Sequence, residues 1–150
     1  MEKQMITYRT EKNFEEGQLK ELFQSVGWIS ANYSDRLVRA LANSDTVISA
    51  WDGNRLVGLA NAIDDGELTA YVHYLLVNPD YQGQGIGREI AERIKEKYRN
   101  YLALVLTAEN RGVVDFYRKL DFQVIDGASP MAIHNYYGYA INISAAGPDN

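Results

Sequence analysis

No cysteine occurs in the 150 residues. Disulfides, thiolate metal sites and a cysteine nucleophile are therefore excluded. Histidine is scarce too. His73 and His134 are too few for a His-rich metal site without help from carboxylates, so no metal is expected. Long apolar runs are missing: nothing approaches the ~20 residues that cross a bilayer. The polar opening, Met1 to Thr10, lacks the hydrophobic stretch of a signal peptide. No membrane partner and a cytoplasmic location are the expectations. Positive charge is in deficit, with 15 Lys and Arg against 20 Asp and Glu and a net charge of −5. That removes the broad basic footprint of a nucleic-acid binder and of a protein drawn to anionic lipid. A mildly acidic surface suits a cationic substrate, and equally serves solubility. No repeat, low-complexity tract or long linker divides the chain.

What is present is an ordinary globular composition, 46% hydrophobic and 23% charged. A chain of this length buries about 68–70% of its unfolded surface, enough for a core. One domain over 1–150 is expected, with a frayed tail from about Ser144 to Asn150. Ile6 to Arg9 reads as a strand. Leu19, Leu22, Phe23 and Val26 have helical spacing within Phe14 to Val26, and Gly27 ends that helix. Ser34 or Asp35 can cap a second helix through Leu41 and Ala42. Thr46 to Trp51, Leu56 to Ile63 and Leu68 to Val77 are β-rich and separated by Asp-Gly turns, which predicts an antiparallel meander. After Asn78-Pro79 the pattern changes: Gly87 to Tyr98 is a charged amphipathic helix and Tyr101 to Thr107 a buried-looking strand. A strand, a crossover helix and a strand place the two strands parallel. Asn110 can cap a helix over Gly112 to Leu120, and Phe122 to Ile125 and Met131 to Tyr137 are expected as the last strands.

The sharpest feature is Gln82-Gly83-Gln84-Gly85-Ile86-Gly87, set between a strand and a helix. Glycines let the backbone turn tightly and approach a ligand. The first N–H groups of the helix have no internal partners, and its dipole is positive there, so the entrance suits a pyrophosphate. Arg88 stands in the first turn to add a charged contact. A Walker A loop would end Gly-Lys-Ser/Thr, but Arg88-Glu89 follow Gly87. A Rossmann fingerprint fails on glycine spacing and on its place after a meander. The Gln/Arg-x-x-Gly-x-Gly/Ala signature of acetyl-CoA-binding proteins fits as Gln82, Gly85 and Gly87.

From Leu75 through Arg88, and again from Asn110 to Phe122 with its Phe116-Tyr117-Arg118-Lys119-Leu120-Asp121-Phe122, the sequence resembles the GNAT (Gcn5-related N-acetyltransferase) superfamily. Asp121 stands where that pattern usually has Gly, at a turn that calls for a left-handed residue. The resemblance implies an α/β (α+β) fold: a mixed, mostly antiparallel twisted sheet of six to seven strands, splayed between the fourth and fifth, with about four helices. It implies acetyl-CoA as acetyl donor. The backbones of Leu75 and Val77 would face the acetyl carbonyl and the pantetheine arm. Gln82, Gly83, Gln84, Gly85, Gly87 and Arg88 would hold the pyrophosphate, and Asn110 would contact the pantetheine region. Tyr117 matches the family tyrosine that protonates the CoA sulfur. The helix region bearing Trp28 and Tyr33 is where the family forms its acceptor pocket, though core packing is the commoner fate of such aromatics.

An amine attacking a thioester must first lose a proton, and its carbonyl and leaving group must be stabilised. Strict alternation along the fourth strand puts Tyr71, His73, Leu75 and Val77 on one face. His73, with an ordinary pKa of ~6.5, is then the candidate base, with a water relay as the alternative. Tyr71 occupies a position where other members carry a Glu base. The function expected is transfer of acetyl from acetyl-CoA to a primary amine of a small molecule, by direct attack in a ternary complex. The alternatives are a protein lysine or N-terminal acceptor, a non-catalytic acyl-CoA sensor, and an unrelated nucleotide-binding regulator. The superfamily and the prevalence of two-fold assemblies suggest a homodimer.

Overall fold

Residues 46–77 are rich in Val, Ile, Leu and Ala and are cut twice by Asp-Gly turns, and they fold into three consecutive antiparallel strands. In the computed structural model, which describes residues 5–137, these are β2 (Thr46–Asp52), β3 (Arg55–Asp64) and β4 (Thr69–Val77). The strand β1 (Ile6–Arg9) pairs antiparallel with β2. The helix α3 (Ile86–Lys97) crosses over to β5 (Ala103–Leu106), which lies parallel to β4 and completes the order β1-β2-β3-β4-β5. The chain divides into two compact units: Met1–Leu106, with all five strands, and Thr107–Asn150, with helix α4 (Arg111–Arg118).

Each face of the sheet has its own core. Helices α1 (Glu16–Ser25) and α2 (Ser34–Ala42) cover one, burying Leu19, Leu22, Phe23, Leu37 and Leu41 against Val47, Trp51, Leu56, Leu59 and Leu76. Each such side chain contributes about 1.5–3 kcal/mol by leaving water. Gly27 ends α1 with φ of 73°, and the Trp28 N–H returns to the Phe23 carbonyl at 3.2 Å. Neither Ser34 nor Asp35 caps α2: the chain enters through a 3-10 turn, Ile29–Tyr33, and Ser34 is already helical. On the other face, α3 lays Ile86, Ile90 and Ile94 on a floor of small residues: Ala50, Gly58, Ala60, Ala62 and Ala70. Just past its end, the buried Tyr98 anchors it. The Tyr98 hydroxyl donates to Asp64 (2.8 Å) and lies 2.6 Å from the Thr46 hydroxyl, and Tyr101 donates to the same carboxylate (3.2 Å).

The expected number of strands needs correction. The described residues hold five strands, not six to seven: Phe122 to Ile125 and Met131 to Tyr137 form no ladder. Their β-propensity has no paired neighbour to act through. Val124, Ile125, Met131 and Ile133 are exposed, and Gly127 (φ 80°) and Pro130 interrupt the segment. The tail expected to fray, 144–150, lies outside the described residues. By contrast, Asp121 adopts the left-handed conformation, φ 72°, and the Phe122 N–H closes α4 onto the Tyr117 carbonyl at 3.1 Å.

Gly58 lies in close contact with α3. A β-carbon there would sit 3.1 Å from Ile90, 3.2 Å from Ile86 and 3.3 Å from Ala50. Gly58→Val suits a strand but overfills this contact, so a loss of about 1–3 kcal/mol is expected. Thermal unfolding followed by circular dichroism should show a midpoint lowered by roughly 2–4 °C per kcal/mol.

Candidate active site

β4 changes both neighbours partway along. Its pairing with β5 covers only Thr69–Val72 against Ala103–Leu106, so from His73 onward the edge facing β5 is no longer in that ladder. Against β3, Asn61 lies opposite Tyr74 but Ala62 lies opposite Val72. His73 is the extra residue of a β-bulge. The bulge shifts the alternation. Before it, the Leu68 carbonyl accepts from the Leu102 and Ala103 N–H groups (2.9 and 3.0 Å), so even-numbered backbone groups face β5. After it, the Asn78 N–H donates to Val57 (2.8 Å) and the Tyr74 N–H to the Asn61 side chain (3.0 Å), both on the β3 side. Since successive amides point to opposite sides, the N–H groups of Leu75 and Val77 face the open edge. Gln82 meets the Val77 carbonyl there through its side-chain amide, at 3.1 Å.

The bulge overturns the single face expected for Tyr71, His73, Leu75 and Val77. Leu75 and Val77 join Ala70 and Val72 in the core beneath α3, whereas Tyr74 and Leu76 pack on the α1 side. The ring of His73 stacks on Tyr74 (3.9 Å) and lies 6.1 Å from Tyr71. Tyr74 continues to Trp28 (5.7 Å) and meets Phe23 edge-on (5.0 Å), with its hydroxyl 2.8 Å from that of Ser30. Trp28, Tyr74, His73 and Tyr71 thus form one aromatic row. His73 keeps an exposed edge, but crowding by its neighbours strips water from the ring and pushes its pKa below the ordinary 6.5. Tyr33, half-buried, closes the 3-10 turn.

The glycine loop is held at its upstream end and open at its tip. Asn78 caps the 3-10 turn Pro79–Tyr81 by accepting from the Asp80 N–H (2.9 Å), and the buried Tyr81 donates to Asp52 while Arg55 covers its ring at 5.5 Å. Gly83 and Gly85 then take φ of 81° and 83°, which L side chains rarely adopt. A β-carbon at either would meet nothing within 4 Å, so open space lies against this backbone. Gly85 is the N-cap of α3 and no side chain caps it; the first helical bond joins the Glu89 N–H to the Gly85 carbonyl (3.0 Å). The amides of Ile86, Gly87 and Arg88 are left to an outside acceptor, with exposed Arg88 and Gln84 beside them. An open groove of about 450 Å³ lies between Gln18, Glu21, Asp52, Asn54, Arg55 and Leu56, where Glu21 is paired with Arg55 and Asp52 accepts from Tyr81.

In the second unit, Asn110 caps α4 by accepting from the Val113 N–H (3.0 Å). Tyr117, in the last turn of α4, is buried and meets Phe116 and Phe122 edge-on (5.1 and 5.4 Å). Burial, with a smaller push from Glu109, raises its pKa to about 12, so it stays protonated at neutral pH. Sequence reasoning missed Tyr74, the Gln82 side-chain clamp and Asn61. Asn61 had a signal: an amide in the apolar run Leu59-Ala60-Asn61-Ala62-Ile63 must find buried partners.

Comparison with known proteins agrees with this geometry. Residues 8–122 match the model of the acetyltransferase (GNAT) family. An uncharacterized N-acetyltransferase, ycf52, of Porphyra purpurea is 32% identical over 74% of this chain and 66% of its own length. Serotonin N-acetyltransferase 2, chloroplastic, of Oryza sativa subsp. japonica is 36% identical over 76% of this chain and 59% of its own. Histone acetyltransferase TAP1 of Glycine max is 34% identical over 81% and 55%. The chain thus spans between about half and two thirds of these relatives. A GNAT-family acetyltransferase structure from Streptococcus pneumoniae superimposes with a TM-score of 0.76 at 29% identity, over 87% of this chain and 98% of the other. With a matched family model over most of its length and the strand–glycine-loop–helix unit in place, the chain belongs to the acetyltransferase (GNAT) family.

Proposed function

We propose that the chain is an N-acetyltransferase that transfers acetyl from acetyl-CoA to the primary amine of a small aromatic molecule. The observation that carries this reading is the succession, within one strand–loop–helix unit, of the open-edge amides of Leu75 and Val77 and the uncapped start of α3. The N–H groups of Ile86, Gly87 and Arg88 hold the diphosphate, and Gly83 and Gly85 let it approach. Val77 serves the pantetheine arm, and the Leu75 N–H faces the carbonyl oxygen where negative charge gathers. Acetyl-CoA supplies the thioester whose C–S bond breaks as the N–C bond forms. The His73 imidazole takes the proton that the ammonium must lose, and its lowered pKa keeps it neutral at pH 7. Tyr117 is assigned the acid that returns a proton to sulfur, on its place in the Asn110–Phe122 motif and its protonated phenol.

The row Trp28, Tyr74, His73, Tyr71 favours a flat acceptor, and the rice relative's name points the same way. The soybean relative named as a histone acetyltransferase supports a protein lysine as the second reading. Relatives from rice and Arabidopsis carry "chloroplastic" in their names, which supports a plastid over the cytoplasm expected from the sequence. No helix among the described residues is long and apolar enough to cross a membrane. A homodimer is the assembly proposed.

A panel of arylalkylamines, polyamines and lysine peptides, read by release of CoA thiol, tests the acceptor. Turnover confined to the peptides overturns the small-amine reading. Gly85→Ala forces an L residue into a conformation costing about 1–2 kcal/mol, and calorimetric titration should show CoA binding weakened roughly tenfold. Tyr117→Phe should lower kcat by about 10²-fold while CoA affinity is kept; unchanged turnover removes the assigned acid. In the unmodified protein kcat/KM should rise with pH through an inflection below ~6.5, since the ring acts only once its proton has left. His73→Gln should abolish that inflection, and its persistence would point to another base.

A further inference from the structure

We propose that Asn61 is a positioning residue for acetyl transfer: its side chain locks β4 in the bulged register that sets the His73 ring and aims the Leu75 N–H at the open edge. The proposal rests on the functional reading above. Asn61 is 3% exposed, and its amide is used on both sides. Its Oδ1 accepts from the Tyr74 N–H at 3.0 Å, and its Nδ2 donates to the Ser44 hydroxyl at 3.1 Å. Ser44, also buried, passes the chain on by donating to the Ala40 carbonyl at 2.9 Å, one helical turn back at the end of α2. That chain fixes which way the amide faces, because only Nδ2 can donate to the Ser44 oxygen.

The Tyr74 N–H is the first amide after the extra residue. In a regular ladder it would find a β3 backbone carbonyl; here a β3 side chain accepts it instead. An apolar residue at position 61 leaves this buried donor unsatisfied as long as the bulge persists. The strand regains a partner by absorbing the extra residue, and a slip of one residue reverses every side chain and amide beyond it. The N–H groups of Tyr74 and Leu76 would then face the open edge in place of Leu75 and Val77, and Leu76 would turn from the α1 core toward α3. The bulge therefore decides which amides serve the reaction, and Asn61 holds the bulge.

The test uses the whole chain in a His134→Ala background, so that His73 is the single imidazole seen by proton NMR. Asn61→Leu, close in volume, and the milder Ser44→Ala, which frees the amide to turn, are compared with that parent at a temperature where circular dichroism shows them folded. Expected are a kcat lowered about tenfold or more in Asn61→Leu and less in Ser44→Ala, a CoA affinity that weakens in the same order as the Val77 amide turns away, and a His73 titration midpoint that climbs toward ~6.5 as the ring leaves its stack. If Asn61→Leu does not fold, the same two shifts in Ser44→Ala decide. A His73 midpoint unmoved in the folded variants overturns the role of Asn61 and leaves the proposed function standing. A midpoint that moves while kcat stays at the parent value overturns the role of Asn61 together with those assigned to His73 and the Leu75 amide, since the bulge would then be irrelevant to turnover.

Discussion

A β-strand in the middle of a sheet has no amide to spare, and a site that grips its ligand by main-chain hydrogen bonds needs several. β4 resolves this by being a central strand for part of its length and an edge for the rest. Up to Val72 it is paired on both sides; beyond His73 the side toward β5 is open. Unpaired backbone groups are costly when dry and hazardous when they invite another chain. Their persistence beside an uncapped helix start is what the proposed function draws on. The same segment carries the aromatic row, so one strand presents open-edge amides and a line of rings on different sides of a single backbone.

The helix that faces this edge is placed by packing rather than by its own propensity. Gly58 and four alanines form a floor low enough for Ile86 and Ile90 to settle close, which brings the first turn of α3 level with the end of β4. The connecting loop is tied at Asn78, Tyr81 and Gln82 and released only at Gly83 and Gly85. Conformational freedom is thus concentrated at two residues with open space against their backbone.

Much of this could be read from the residues. The Asp-Gly turns announced the meander, the glycine spacing placed the start of α3, Gly27 ended α1, and the crossover dictated a parallel β5. Asp121 was readable as left-handed because a motif with Gly elsewhere has Asp at that turn. The bulge was not readable. It is one surplus residue in a run, Tyr71-Val72-His73-Tyr74-Leu75, whose composition suits either face, and only the register against β3 shows which residue is surplus. Period-two reasoning then misassigned the face of everything after it and hid Tyr74, the centre of the aromatic row. The segments expected as final strands failed for the opposite reason: their propensity was plain, but a strand exists only through its neighbour. The entrance to α2 was misjudged because a 3-10 turn delivers the chain already helical at Ser34.

The anchoring of Tyr98 between Thr46 and Asp64 gives α3 two ends of unlike mechanical character. Its foot is bolted to the sheet by a buried phenol, while its mouth ends in a pair of glycines. A shift of the loop is taken up at the mouth, at two left-handed glycines, while the buried phenol keeps the far end of the rod on the sheet.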